Sequence, residues 1–171
     1  MHILFVCTGN ICRSPIAERL TLAYASEKGL ASLTASSAGT RAVIGHPIHH
    51  HAAQVLADLG GESEGFVARQ LKPKLITDAD LVLTMTVAHR DAALGAVPRY
   101  LNRTFTLYEA SRLIFDFGAT TIADLTELRP KLASSQIGDV QDPMGKSPEI
   151  FGQVGRTISS LLRPILRIRA S

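Results

Sequence analysis

The N-terminal stretch of the chain is His2-Ile3-Leu4-Phe5-Val6-Cys7-Thr8-Gly9-Asn10-Ile11-Cys12-Arg13-Ser14-Pro15. Its first part, from His2 to Val6, is a short apolar run with β-branched and aromatic residues, which predicts a buried strand of a parallel sheet. Gly9 and Asn10 then indicate a turn, and Ser14-Pro15 indicates the start of a helix over residues 13–28. A strand joined to a helix by a short loop is the opening unit of an α/β sheet.

The rest of the chain continues this alternation. Further strands are predicted over residues 33–37, 79–85 and 103–107, and further helices over 47–59, 86–94, 109–115, 122–132 and 150–168, with 134–142 as a polar loop. Pro164 is expected to kink or weaken the last helix. Alternating strands and helices without a linker predict a single domain over residues 1–171, built as an open parallel α/β sheet. In such sheets ligands bind beyond the carboxyl ends of the strands, where residues 7–14 would lie.

Composition limits the function classes. Of the 171 residues 46% are hydrophobic, enough for a buried core, and 18 Lys and Arg against 15 Asp and Glu give a net charge of +3. That mildly basic balance suits an anionic ligand, but no long basic run points to nucleic acid. Two cysteines cannot form the framework of a secreted disulfide-rich domain. With no apolar stretch of about 18 residues and no signal-peptide pattern, we expect a cytoplasmic protein that spans no membrane.

The spacing of Cys7 and Arg13 predicts a phosphate-binding loop. The two residues enclose five others, and a loop of this length can curl so that its backbone N–H groups face inward and open onto a helix N-terminus, which favours a dianion. Gly9 permits the tight backbone, and Asn10 tolerates a left-handed conformation. The residues expected to bind phosphate are Thr8, Gly9, Asn10, Ile11, Cys12, Arg13 and Ser14.

The same loop has the residues of a nucleophilic mechanism. Its positive field favours Cys7 as a thiolate nucleophile, Arg13 can grip two phosphate oxygens, and Ser14 can donate a hydrogen bond to the sulfur. A leaving oxygen needs a proton donor, and Asp142 is the candidate, because Pro143 restricts it to an extended conformation. The alternative for Asp142, and for the nearby Asp139, is a plain surface loop.

Other cysteine and histidine residues leave alternatives open. Cys12 is either a structural residue or a redox partner that would protect Cys7 from overoxidation. Four histidines lie close together near the start of the second predicted helix: His46, His49, His50 and His51. They form either a solvated helix end or part of a metal site, and the first is favoured because no carboxylate completes the site before Asp58. We therefore predict no metal and no cofactor.

Four motifs resemble those of the low-molecular-weight protein tyrosine phosphatases. In chain order they are the signature loop from Val6 to Pro15, the next motif Ser37-Ala38-Gly39-Thr40, the third strand Asp80-Leu81-Val82-Leu83 and the general-acid loop Asp142-Pro143. Their order and spacing match over most of the chain. The resemblance implies a four-stranded parallel sheet with helices on both faces and an N-terminal phosphate-binding loop.

The resemblance also implies roles for individual residues. Cys7 would form a phosphocysteine intermediate, Arg13 would hold the phosphate, and Asp142 would act first as acid and then as base. Asn10 would brace the loop, with Ser37 as a supporting residue. The implied partner is a phosphorylated protein or a small phosphate ester, with phosphate or another oxyanion in the loop and neither nucleic acid nor membrane. A weak homodimer stays open.

The chain departs from the family pattern where the leaving group would bind. Met144 and Gly145 follow the Asp-Pro pair, where tyrosine-specific members usually have aromatic residues. Ala42-Val43-Ile44 follow the second motif, where an aromatic residue is also usual. A phenyl ring would therefore lose stacking walls worth about 0.5–1.5 kcal/mol each. The segment of residues 111–135 is longer than the connection that the family usually has at this point of the chain. It is a candidate inserted lid.

These departures leave the substrate open between two phosphatase branches. The protein arginine phosphatases have a similar Asp-Pro-aromatic-Gly-x-Ser run, which Asp142 to Ser147 partly resembles, but they have threonine where this chain has Ile11. Because Ile11 is the tyrosine-type choice, hydrolysis of phosphotyrosine, in proteins or as small aryl phosphates, is the first hypothesis. The alternatives are a protein arginine phosphatase, a thiol-coupled arsenate reductase and a non-enzymatic phosphate-binding module.

Overall fold

A computed structural model describes residues 1–170. Over these residues the fold centres on one sheet of four parallel strands, in the spatial order β2-β1-β3-β4: β1 (His2–Cys7), β2 (Thr34–Gly39), β3 (Leu81–Thr84) and β4 (Thr104–Thr106). The central position of β1 follows from its composition, since a continuous apolar run can be buried on both faces. The open four-stranded parallel sheet expected from the sequence is confirmed.

Within residues 1–170, seven α-helices flank the strands: α1 (Arg13–Glu27), α2 (His50–Asp58), α3 (Pro73–Thr77), α4 (Val87–Ala96), α5 (Leu107–Phe117), α6 (Ile122–Leu128) and α7 (Pro148–Ile165). Short 3-10 segments lie at Pro98–Arg103, Arg129–Lys131 and Ser134–Gln136. In this described part of the chain, no helix is both long enough and apolar enough to cross a membrane.

Helix α3 and the 3-10 segment Pro98–Arg103 were not predicted from the sequence. Both have proline near the first position, and both are too short to show the periodicity on which helix prediction depends. Helix α6 ends at Leu128, earlier than predicted, because Pro130 lies in the 3-10 turn that follows. Helix α7 ends at Ile165, one residue after Pro164, so that proline lies at the end of the helix.

The two faces of the sheet have separate apolar cores. On one face Phe5 and Leu83 pack with α1, α2, α5 and α7, and on the other face Leu4 and Val82 pack with α3 and α4. All four side chains are fully buried, which stabilises the fold by about 1.5–3 kcal/mol for each side chain. Helices on both faces of the sheet, as the resemblance implied, are confirmed.

The candidate lid, residues 111–135, comprises the end of α5, all of α6 and the turns that follow. Its side chains Leu113, Ile122 and Leu125 are buried in the core that α7 also lines. Thr121 caps α6 through reciprocal hydrogen bonds with Asp124, so the helix has its own start signal. Movement of this segment as a lid stays a prediction.

The carboxyl ends of the three strands β1, β2 and β3 meet at one edge of the sheet. Cys7 pairs in register with Gly39, and Val6 pairs with Thr84. The segments that leave these strand ends therefore surround residues 7–14, at the edge where open α/β sheets bind their ligands.

Candidate active site

Cys7 lies at the end of β1, where the predicted phosphate loop begins. Its Sγ atom is 3.0 Å from Oγ of Ser14 and accepts a 3.3 Å hydrogen bond from the backbone N–H of Asn10. The side chain is buried, and α1 begins at Arg13, directly after the loop. Two nearby donors and a helix N-terminus can hold negative charge on the sulfur, as a thiolate nucleophile requires.

Asn10 braces the loop from within. Its φ angle is 55°, in the left-handed region, and the residue is fully buried. Its Nδ2 donates to Oγ of Ser14 at 2.9 Å and to Oγ of Ser37 at 2.8 Å. Its Oδ1 accepts from the backbone N–H of Arg69 at 2.9 Å, and Ser37 in turn donates to Oε2 of Glu18 at 2.6 Å. The side chain therefore ties the loop to α1, β2 and the segment before α3.

Two members of this network, Arg69 and Glu18, were not found from the sequence. Arg69 lies 59 positions after Asn10, and its Nε also donates to the backbone oxygen of Ser37 at 2.9 Å. Glu18 lies on α1, and burial raises the pKa of its carboxyl group. No local pattern marks either residue, because each acts across elements that only the tertiary fold brings together.

Replacing Asn10 by alanine is expected to destabilise the protein by about 2–4 kcal/mol. Alanine removes three hydrogen bonds in a buried site and keeps a β-carbon in the left-handed region. Urea unfolding followed by circular dichroism measures the change. Asn10→Gly is the matched variant, because glycine adopts this backbone freely. We expect Asn10→Gly to recover only the part of the lost unfolding free energy that comes from backbone strain, because it restores none of the three hydrogen bonds. Parent-like stability of both variants would contradict the bracing role.

The segment after β2 runs along the outside of the phosphate loop. Four backbone hydrogen bonds join N–H to carbonyl: Thr40 to Cys7 at 2.9 Å, Arg41 to Thr8 at 3.0 Å, Val43 to Gly9 at 2.9 Å and His49 to Ile11 at 2.8 Å. Gly39 is needed at the end of β2, because a β-carbon there would lie 2.4 Å from the carbonyl oxygen of Thr8. Helix α2 begins at His50 rather than at the predicted Pro47, because His49 bonds the loop and caps the helix.

Arg13 joins the loop to the predicted acid. Its guanidinium group is buried, and its Nη1 donates to the backbone oxygen of Val140 at 3.0 Å. Its Nη2 forms an ion pair with Oδ2 of Asp142 at 2.7 Å. The Asp142 side chain is 49% exposed, so it is accessible to a ligand that enters from solvent. The structure thus brings together two residues that lie 129 positions apart in the chain.

The segment from Asp139 to Pro143, called the acid loop below, is held by two hydrogen bonds against the junction of β3 and α4. Oδ1 of Asp139 accepts from the backbone N–H of Val87 at 2.8 Å, and the N–H of Val140 donates to the carbonyl of Met85 at 2.8 Å. Of the two carboxylates considered from the sequence, Asp139 therefore anchors the loop, whereas Asp142 pairs with Arg13.

Aliphatic and sulfur-containing side chains form the mouth of the site. Val43 is 38% exposed, with its Cγ2 atom 3.5 Å from the place that a β-carbon on Gly9 would take, and Met144 is 45% exposed. The Sγ–H of Cys12 donates to Sδ of Met144 at 3.3 Å. Burial, together with the charges of Cys7 and Asp142, raises the pKa of Cys12 to about 12. With its pKa raised, Cys12 is a neutral thiol that contacts Met144 beside the loop.

The histidines near the start of α2 pack on an aromatic residue of α7. The ring of His49 lies 4.4 Å from that of His50 and 4.9 Å from that of Phe151, and both pairs are stacked. Among residues 1–170, no three His, Cys, Asp or Glu side chains are arranged to hold a metal ion. The structure thus shows His49 stacked at the start of α2, and the absence of a metal stays a prediction.

Known proteins with similar sequences are phosphatases. Residues 2–169 match the family model described as low molecular weight phosphotyrosine protein phosphatase. The chain is 32% identical over 167 residues to the protein-arginine-phosphatase of Bacillus subtilis (strain 168), covering 98% of this chain and 95% of that protein. It is 43% identical over 97 residues to the low molecular weight protein-tyrosine-phosphatase Wzb of Escherichia coli (strain K12), covering 57% of this chain and 63% of Wzb.

A solved structure has the same fold. It is the arginine phosphatase YwlE, as a cysteine-to-serine mutant with a phosphorylated active-site serine. The two chains give a TM-score of 0.78 and 31% sequence identity, covering 97% of this chain and 93% of that one. The match of the family model over almost the whole chain shows that this protein belongs to the low-molecular-weight phosphotyrosine protein phosphatase family.

Proposed function

We propose that this phosphatase hydrolyses phosphotyrosine, in proteins or as small aryl phosphates, through a phosphocysteine intermediate on Cys7. The observation that carries the proposal is the ion pair between Arg13 and Asp142, at 2.7 Å. Arg13 closes the loop that begins at Cys7, so the contact brings Asp142 to that loop. A nucleophile, a cation for the phosphate and a proton donor are thereby joined in one site. Ile11, the tyrosine-type residue of the loop, supports this substrate.

In the first step the Cys7 thiolate attacks phosphorus from the side opposite the leaving oxygen. The S–P bond forms as the P–O bond breaks, and the leaving oxygen takes the electron pair of that bond together with a proton from Asp142. Arg13 exchanges its contact with Asp142 for two phosphate oxygens, and the loop N–H groups stabilise the charge on the phosphoryl group.

In the second step water displaces the sulfur. Asp142, now a carboxylate, takes a proton from the water as its oxygen attacks phosphorus, and the P–S bond breaks to release inorganic phosphate. Ser14, whose Oγ is 3.0 Å from the sulfur, donates to the departing thiolate. The phosphorylated active-site serine of the YwlE mutant supports a covalent intermediate in this fold.

Phosphoarginine is the second candidate substrate. Val43 and Met144 lie exposed beside the loop, and neither offers a phenyl ring an aromatic surface on which to stack. The Bacillus subtilis relative, which matches 98% of this chain, is named a protein-arginine-phosphatase. With this substrate the P–N bond would break, and Asp142 would give its proton to the leaving guanidine nitrogen.

Arsenate reduction and simple phosphate binding are less well supported. Thiol-dependent arsenate reduction usually needs further cysteines to relay the oxidation, and the chain has only Cys7 and Cys12. A binding module needs no proton donor, whereas Asp142 is held at Arg13. Coupling to a small thiol would be needed for the reductase activity.

A panel of substrates tests the proposal. Hydrolysis is measured on phosphotyrosine, phosphoarginine and phosphoserine peptides, and arsenate reduction is measured with an added thiol. We expect the highest kcat/KM on phosphotyrosine. Activity on phosphoarginine alone would replace the first candidate by the second, and arsenate reduction without hydrolysis would contradict both.

Replacing Met144 by tyrosine is expected to raise kcat/KM for 4-nitrophenyl phosphate about two- to tenfold. A ring at this position supplies one stacking wall, worth about 0.5–1.5 kcal/mol. Steady-state kinetics on 4-nitrophenyl phosphate and on a phosphoarginine peptide measure the selectivity. Met144→Leu is the matched control, because it removes the sulfur without adding a ring. An equal gain in the leucine variant would show that stacking is not the cause.

We propose a cytoplasmic location for the protein. Cys7 and Cys12 are both free thiols, and a reactive thiolate is protected from oxidation in a reducing compartment. Cell fractionation followed by immunodetection tests the location. The weak homodimer left open by the sequence stays a prediction.

A further inference from the structure

His89, on α4, contacts the phosphate loop from the side opposite β2. Its Nε2 is 2.8 Å from Oγ1 of Thr8, the residue directly after Cys7. The histidine is only 7% exposed, so the contact is largely shielded from solvent. The two partners lie 81 positions apart, and no sequence pattern marks them as a pair.

Thr8 is thereby held from both sides. On the β2 side its carbonyl oxygen accepts from the N–H of Arg41 at 3.0 Å. Gly39 approaches the same oxygen so closely that no side chain fits there. On the α4 side the Thr8 hydroxyl contacts His89. Since Thr8 is the first loop residue after the nucleophile, its orientation governs the start of the row of N–H groups expected to bind phosphate.

His89 makes this contact as a neutral ring. Burial, with Arg13 nearby, lowers the pKa of His89 to about 4. Within residues 1–170 the buried Nδ1 has no hydrogen-bond partner, so protonating both nitrogens would leave an N–H unsatisfied and would add a cation near Arg13. In the tautomer with its hydrogen on Nε2 the Thr8 hydroxyl oxygen accepts from the ring, and in the tautomer with its hydrogen on Nδ1 the hydroxyl donates to Nε2, so the contact forms with either one.

The same short segment also holds the acid loop. Met85 and Val87, which precede His89, make the backbone contacts to Val140 and Asp139 described above. The turn from β3 into α4 therefore contacts the phosphate loop through a side chain and the acid loop through backbone groups. A change in this turn would alter the position of Thr8 relative to the acid loop.

We infer that His89 is a positioning residue, which orients the phosphate loop through the hydroxyl group of Thr8. The inference rests on the proposed phosphatase function and adds a residue to it. Within residues 1–170 the side-chain hydrogen bond of His89 goes to Thr8 and not to Cys7 or Asp142, so His89 acts on the bound phosphate through Thr8.

A double-mutant cycle with Thr8→Val and His89→Ala tests the inference. Each single substitution is expected to raise KM for 4-nitrophenyl phosphate and Kd for inorganic phosphate about tenfold, with kcat changed less than about threefold. The double variant should bind inorganic phosphate with the same Kd as either single variant, because both substitutions remove the same hydrogen bond. His89→Gln, whose amide can reach the hydroxyl, should recover most of the affinity.

The control is Asp91→Asn, an exposed change on the same helix, which should leave KM and Kd unchanged. Additive effects of the two substitutions would overturn the inference, as would a lower melting temperature with an unchanged Kd for phosphate. If His89→Ala does not fold, Thr8→Val alone must still weaken phosphate binding, and parent-like binding would overturn the inference. If the parent protein binds phosphate but hydrolyses no substrate, that result counts against the proposed function alone. The double-mutant cycle can then still be measured, because it compares Kd values for inorganic phosphate.

Discussion

Replacing Cys7 by serine is expected to lower the turnover of 4-nitrophenyl phosphate by at least about a thousandfold. A serine hydroxyl is far less acidic than a thiol, so the helix N-terminus and the donors from Asn10 and Ser14 do not make it an alkoxide near neutral pH. Asp142 cannot activate the hydroxyl in the first step, because there it must be protonated to serve the leaving group. The serine variant therefore lacks both an anionic nucleophile and a base.

Phosphate binding separates loss of the nucleophile from loss of the site. Arg13 and the loop N–H groups are unchanged in Cys7→Ser, so isothermal titration should give a Kd for inorganic phosphate within about threefold of the parent. Thermal unfolding checks that the variant is folded. Turnover within tenfold of the parent would overturn the phosphocysteine mechanism.

Most site residues predicted from the sequence lie in one short stretch of the chain, so local geometry is enough to propose them, and their roles stay predictions. Cys7, Asn10 and Arg13 lie in one short loop between a strand and a helix, and the length of that loop dictates a ring of N–H groups. The structure adds a role for Gly39, which the sequence offered only as part of a motif, since the register of β2 on β1 brings it against the loop. Asp142 was placed through the Asp-Pro pair and the family resemblance rather than through any local rule.

The residues that the sequence analysis missed act over long distances in the chain. Arg69 and His89 each meet the loop through one hydrogen bond, to Asn10 and to Thr8, whereas Glu18 is one step removed and accepts from Ser37, which in turn accepts from Asn10. An arginine or a glutamate on a helix is ordinarily a solvated residue, so composition and periodicity do not distinguish these two from their neighbours. The short helix α3 was missed for a related reason, because five residues leave no period to detect.

Replacing Asp142 by asparagine is expected to separate catalysis from binding. Without a proton donor, kcat/KM for phenyl phosphate, whose leaving oxygen is strongly basic, should fall by about 10²–10³-fold. We compare kcat/KM because it reports the steps up to loss of the alcohol, whereas kcat also includes hydrolysis of the phosphocysteine, in which Asp142 would serve as base for both esters. For 4-nitrophenyl phosphate, whose leaving group needs little protonation, the fall should be smaller, on the order of tenfold. Steady-state kinetics on the two esters measure this difference. The matched control is Asp91→Asn, the same chemical change at an exposed position away from the loop.

The same substitution should not weaken phosphate binding, because of the ion pair between Arg13 and Asp142. In the unliganded protein the Asp142 carboxylate forms an ion pair with the Arg13 guanidinium group, which the phosphate must also bind. The two anions therefore compete for one cation. Asparagine removes that competing charge, and we expect the Kd for inorganic phosphate to stay equal or to decrease. A Kd that rises with the loss of kcat would mean that Asp142 shapes the loop instead. An equal loss of kcat/KM on both esters would show that it is not the proton donor.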